Sequence, residues 1–220
     1  MQCIKDTIKN INIVIGCSIG CSYCYARMNN NRFHTIDDFN KPVFFENKLK
    51  MLDNKRHTAY LLTGQSDLSG WNEEWKDKVF SKMKENENTQ YIFLTKRPEN
   101  IKLKETPDNG WFGVTVTSSK EKTRIDYLRN NIKAKHYHIT FEPMFDDVGK
   151  LDLNNISWIV IGTETGNRKG KISSKREWVF NIYNQAKEKN IPVFMKEDLL
   201  GILNEDEFVQ EFPKEFGGIE

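Results

Sequence analysis

Cys17, Cys21 and Cys24 fall within eight residues, in the run Gly16-Cys17-Ser18-Ile19-Gly20-Cys21-Ser22-Tyr23-Cys24-Tyr25-Ala26 that follows the apolar segment Ile11–Ile15. Spaced C-x3-C-x2-C, three thiolates can hold three corners of a cubane iron–sulfur cluster. One iron is then left without a protein ligand, open to a small molecule. An open metal position at the end of a strand points to catalysis rather than to a structural site. Structural zinc would need a fourth ligand from Cys3, His34, His57, His136 or His138, none of them at knuckle spacing. The H-x-E signature of zinc deaminases is absent, and an electron-transfer ferredoxin would need a fourth cysteine. The contrasting class is a non-catalytic zinc- or iron–sulfur-binding interaction protein.

Positioning such a loop takes a scaffold, and the apolar pattern supplies one. Short continuous apolar runs recur at Ile11–Ile15, Thr58–Thr63, Tyr91–Thr95, Trp111–Val116, His136–Phe141, Trp158–Ile161 and Ile191–Met195. Continuous rather than alternating runs mark strands buried on both faces of a parallel sheet. Helical stretches are expected near 40–53, 73–87, 119–131 and 175–189, two of them opening on capping boxes, Ser118-x-x-Glu121 and Ser174-x-x-Glu177. The alternation reads as an α/β chain, a partial (β/α) barrel of about six to seven parallel strands, with an open doubly wound sheet as the rival. The expected division is a barrel domain over 1–200 and an acidic segment over 201–220 that packs on or extends it.

In either architecture function gathers past the C-terminal ends of the strands. Those positions hold Gly64, Ser66, Asp67, Lys96, Arg97, Thr117, Ser118, Glu142, Glu164 and Lys196. Ser66 or Asp67 could accept from an ammonium group, or simply form an Asx turn. Lys96 and Arg97 could meet a carboxylate or phosphate. Glu142 and Glu164 could take hydroxyls of a ligand, or pair with Lys96, Arg97 or Lys196 in a rim network. Five bases without an acid across 167–176 read either as a phosphate clamp or as a solvated loop.

The thiol spacing, with Tyr23 just before the last cysteine, resembles the signature of the radical S-adenosylmethionine (SAM) superfamily. The resemblance implies a [4Fe–4S] cluster on Cys17, Cys21 and Cys24, with SAM chelating the fourth iron. It further implies reductive cleavage of SAM to a 5′-deoxyadenosyl radical that abstracts hydrogen from a substrate, and an electron donor of flavodoxin or ferredoxin type. Gly64, Ser66, Asp67, Lys96, Arg97, Thr117, Glu142 and Glu164 would then hold SAM. Ser66-Asp67-Leu68, Leu94–Pro98, Trp111–Val116, Phe141-Glu142-Pro143, Trp158–Gly162 and Phe194–Lys196 appear in the order of a narrower, phage- and mobile-element-associated radical SAM family of unknown function. Departures from that family's pattern at Gly162–Gly166, Ser69-Gly70 and Glu197-Asp198 bear on the substrate pocket more than on the cluster.

Composition narrows the setting. Residues 1–196 carry 32 bases and 23 acids, net +9, whereas 197–220 carry eight acids and one base. A basic body is compatible with a nucleotide or nucleic-acid substrate, and a modified peptide stays open. The opening residues lack a long apolar core, and no run approaches the ~20 residues that span a bilayer. A reducing cytoplasm suits the clustered thiols.

Overall fold

Continuous apolar runs become strands here because both of their faces are covered. The computed structural model describes residues 2–54, 58–166 and 168–217; His57 lies outside them. In chain order the elements are α1 (Ile4–Thr7), β1 (Ile8–Asn10), β2 (Val14–Ile15), α2 (Tyr25–Phe33), β3 (Val43–Phe44), β4 (Ala59–Leu61), α3 (Glu73–Glu85), β5 (Gln90–Thr95), β6 (Gly110–Thr115), α4 (Thr123–Asn131), β7 (His136–Phe141), β8 (Ile156–Ile161), α5 (Arg176–Glu188) and β9 (Val193–Met195). Among the described residues seven strands pair in the order β1-β4-β5-β6-β7-β8-β9, all parallel, and curl into a half-barrel. The expected partial barrel is the observed one.

Alternate residues of each strand serve different neighbours. Phe93, Phe112, Val114, Ile139, Phe141 and Ile159 face the helices, where they pack with Val79, Phe80 and Met83 of α3, Leu128 of α4 and Ile182 of α5. Phe93 and Phe112 stack at 5.0 Å, and Phe80 meets both edge-on. The opposite, inner face carries Ile8, Ala59, Ile92, Trp111, Trp158, Val160 and Phe194. An open sheet would leave that face wet. The C-terminal segment closes it: Phe216, fully buried, packs on Trp111 and Trp158 at 4.7 and 5.3 Å, and Gln210 bridges antiparallel to Phe194. Among its described residues that segment forms short 3-10 turns.

Three local expectations are corrected. The first barrel strand is Ile8–Asn10, not Ile11–Ile15. Ile11 N donates to Leu61 O, the ladder ends, and Val14–Ile15 pairs instead antiparallel with Val43–Phe44. That pairing, together with Pro42, also removes the helix expected from residue 40, leaving a 3-10 stretch at Glu46–Asp53. Neither serine capping box forms. Glu121 reaches Thr117 rather than Ser118, taking its N–H and hydroxyl at 2.7 Å each, and Ser174 gives its N–H and hydroxyl to Thr163 Oγ1. Helix α2 was not foreseen, because Asn29-Asn30-Asn31 is a poor helix former. Its fold is set by Cys24 at the N-cap and by Asn30, whose buried amide holds both Ile36 N and Ile36 O.

Candidate functional site

The thiol loop leaves β2 through Gly16, whose φ of +115° and 2.8 Å approach of a would-be Cβ to Pro42 Cα leave no room for a side chain. Gly16 N donates to Gln65 O, so the loop lies against the 64–67 turn at the C-terminal end of β4. Arg27 of α2 clamps it from the other side, donating to Cys17 O at 2.9 Å and to Asn40 Oδ1 at 3.0 Å. Cys24 Sγ accepts from Arg27 N at 3.4 Å, and the positive end of α2 faces it. Burial pushes the Cys17 thiol up, partly offset by a hydrogen bond from Ile19 N and reinforced by the nearby Asp67 carboxylate. These soft donors suit an iron–sulfur centre, and Gly20 (φ +77°) leaves open space within the loop. Among the described residues, however, no three His, Cys, Asp or Glu side chains are gathered so as to hold a metal ion.

The turn after β4 is held by its own bonds. Asp67 Oδ1 accepts from Ser69 N, Ser69 Oγ and Thr95 Oγ1, and Oδ2 accepts from Lys96 N at 2.8 Å. Ser66 Oγ accepts from Trp71 Nε1, and Gly64 O accepts from the Tyr25 hydroxyl at 2.5 Å. Asp67 therefore fixes where Lys96 leaves β5. Asp67→Asn would turn an N–H toward Lys96 N and is expected to cost about 2 kcal/mol. Urea unfolding checks this; a loss under ~0.5 kcal/mol would mean that the tie is weak.

Of the other expected residues, Thr117 is buried and bound to Glu121. Glu164 is gripped by Arg168 Nε and Nη2 at 2.5 and 2.8 Å and also accepts from Ile172 N; the Arg168 bond holds its carboxyl below the usual range. Arg97 ends β5 with its N–H on Thr95 Oγ1. Lys96 projects into the mouth, its Nζ 3.5 Å from Thr115 Oγ1 and 5.8 Å from the Tyr23 ring centre.

Glu142 behaves differently. It pairs with Lys196, which also lies 3.2 Å from Asp198 Oδ2, while Asp198 Oδ1 accepts from Thr163 N. Burial and Asp198 raise the Glu142 pKa against the pull of Lys196. Burial lowers that of Lys196, but Glu142 and Asp198 more than offset it. This cluster closes the ends of β7, β8 and β9, and the thiol loop reaches the same side, Tyr23 meeting Phe145 edge-on at 5.4 Å. Sequence reading placed Lys196 at a strand end as a partner for Glu142 or Glu164, and noted Asp198 only as a departure from the family pattern, without a role. Two shallow recesses of about 460 and 370 Å³ lie elsewhere, beside the N-terminal ends of β6 and β7 and along α5, away from these groups.

The chain belongs to the family described as protein of unknown function (DUF5131), whose model matches residues 2–217. No curated protein and no solved structure matches it. The resemblance to the radical SAM superfamily, and to a phage-associated family within it, is thereby corrected: no radical SAM family matches, and the thiols stand without a gathered ligand set. No helix among the described residues is long and apolar enough to cross a membrane.

Proposed function

We propose, for a chain whose family carries no assigned activity, that the mouth of the half-barrel is a catalytic iron–sulfur site that takes S-adenosylmethionine as co-substrate. One observation carries the reading: three thiols share a short loop where parallel strands end in polar residues, the place where α/β folds put their chemistry. Cys17, Cys21 and Cys24 would hold the cluster, which when bound supplies an electron and an open iron to a chelating co-substrate. The chain's own part is mechanical and electrostatic. Arg27 clamps the loop through Cys17 O, Tyr25 ties it to the 64–67 turn, and Asp67 fixes the backbone from which Lys96 reaches inward. Lys96 and Arg97 offer cations for a carboxylate or phosphate. The net charge of +9 over residues 1–196 favours a nucleotide or nucleic-acid substrate, and a one-electron donor protein would be the partner.

The test is iron and sulfide analysis after anaerobic reconstitution, then reduction with SAM and detection of 5′-deoxyadenosine. Wild type is expected to form it and Cys21→Ala to lose it by more than ~100-fold. Stoichiometric zinc without sulfide, or a cluster that never cleaves SAM, would overturn the reading.

A further inference from the structure

The ends of β7, β8 and β9 bring together charges that a fold does not gather without cost. Lys196 Nζ contacts Glu142 and Asp198, and among the described residues it has no third acceptor, while Glu142 Oε2 has no hydrogen-bond donor. Glu142 is only partly covered: 28% of its side chain stays accessible, so the free oxygen of the pair can be reached from outside. Gly162, lacking a side chain, lets these three groups close over the end of β8. A Cβ there would come within 3.1 Å of Lys196 Cδ and 3.2 Å of both Glu142 Cδ and Asp198 Oδ1. Tyr25, half exposed, stands close enough for the charges of Glu142 and Lys196 to act on its hydroxyl.

We propose that Glu142 and Lys196, flanked by Asp198 and walled by Tyr25, form a substrate subsite for a neutral planar edge that pairs a hydrogen-bond donor with an acceptor: the edge of a nucleobase. A carboxylate accepts from the base N–H, and the neighbouring ammonium donates to its carbonyl or ring nitrogen. With Lys96, which also acts on Glu142, the group sums to zero charge, so a phosphate or ammonium ligand would have to break the pairs, whereas a neutral edge uses the free atoms they leave. Tyr25 supplies the stacking that single bases need. This deepens the proposed function by naming the substrate's chemistry, yet it does not need the cluster.

The experiment is calorimetric titration of the whole protein, as purified and after loading with iron and sulfide, with uridine 5′-monophosphate, guanosine 5′-monophosphate, ribose 5-phosphate and N-acetylglutamine amide. Both nucleotides are expected to bind, and ribose 5-phosphate at least ~10-fold more weakly. Glu142→Leu and Gly162→Ala are each expected to weaken nucleotide binding by about 10-fold or more, with Gly162→Ala carrying the test if Glu142→Leu fails to fold. Equal binding of ribose 5-phosphate, binding of the amide in place of nucleotides, no binding at all, or unchanged affinity in the variants would overturn the subsite. Nucleotide binding by protein that cannot be loaded would leave the subsite standing and remove the iron–sulfur reading; a working cluster without nucleotide binding would do the reverse.

Discussion

Gly113→Ala is expected to destabilise the fold by about 3 kcal/mol or more, a large part of the margin of a chain this size. Gly113 sits on the inner face of β6, between Leu94 of β5 and His138 of β7. The imidazole of His138 lies directly over it: a Cβ at 113 would come within 2.4 Å of Cε1 and Nε2 and 2.5 Å of Cδ2. No real side chain stands so close, and the ring has nowhere to go. It is 1% exposed, tilts against Trp158 at 6.0 Å and donates from Nε2 to Phe93 O at 3.0 Å. Relief would require breaking that bond or moving a strand. Thermal and urea unfolding measure the loss. A coupling test shows its cause: in a His138→Ala background the added methyl meets no ring, so the double variant should be more stable than the sum of the single effects. Strict additivity, or a loss below ~0.5 kcal/mol for Gly113→Ala, would show that the ring yields freely.

The second large effect is a loss of stability in mild acid that originates at the same histidine. Burial pulls the His138 pKa from 6.5 down to about 4. Protonation would place a second N–H at Nδ1, a buried atom with no hydrogen-bond partner. The unfolded chain takes up that proton near pH 6.5 and the folded chain only near pH 4, so between these values the unfolded state binds more protons. Stability from the neutral ring is therefore complete above pH 6.5 and drains away as the pH falls toward 4, by about 3 kcal/mol in all. Burial lowers His136 too, with the same sign. Glu142 opposes them: its raised pKa means that the fold gains as its carboxyl takes up a proton. Comparing unfolding midpoints of wild type and His138→Phe from pH 7 to 4.5 separates these contributions, because Phe keeps a ring over Gly113 and cannot titrate. Wild type should lose stability more steeply over that window. Parallel curves would rule out His138 as the cause.

Much of the scaffold was written locally. Tyr91–Thr95, Trp111–Val116, His136–Phe141 and Trp158–Ile161 read as buried parallel strands because they are continuous runs of apolar, aromatic and β-branched residues with little polar alternation, and they lie within a residue or two of the observed strands. Helices α3 and α5 were legible for the same reason, their apolar stripes having one face to bury. The first strand was not. Ile8–Asn10 is short and half polar, whereas Ile11–Ile15 is the more apolar run, so only the competition for β4 and for Val43–Phe44 places the ladder. The capping serines misled because other partners compete: Thr117, one residue before Ser118, takes Glu121, and Thr163, out of sight in one dimension, takes Ser174.

By itself, the sequence determined the class of fold and the residues able to do chemistry: three soft thiols in one loop, and a polar residue after nearly every buried strand. Periodicity and side-chain type are local properties, and they survive without coordinates. Only the tertiary structure decided which of those polar residues are already spent. Asp67, Thr117 and Glu164 bond to their own turns and loops, while Glu142 meets Lys196 and Asp198, far from it in sequence, over Gly162. A hydrogen bond depends on distances of a few ångströms between strands, and those distances exist only once the sheet has curled.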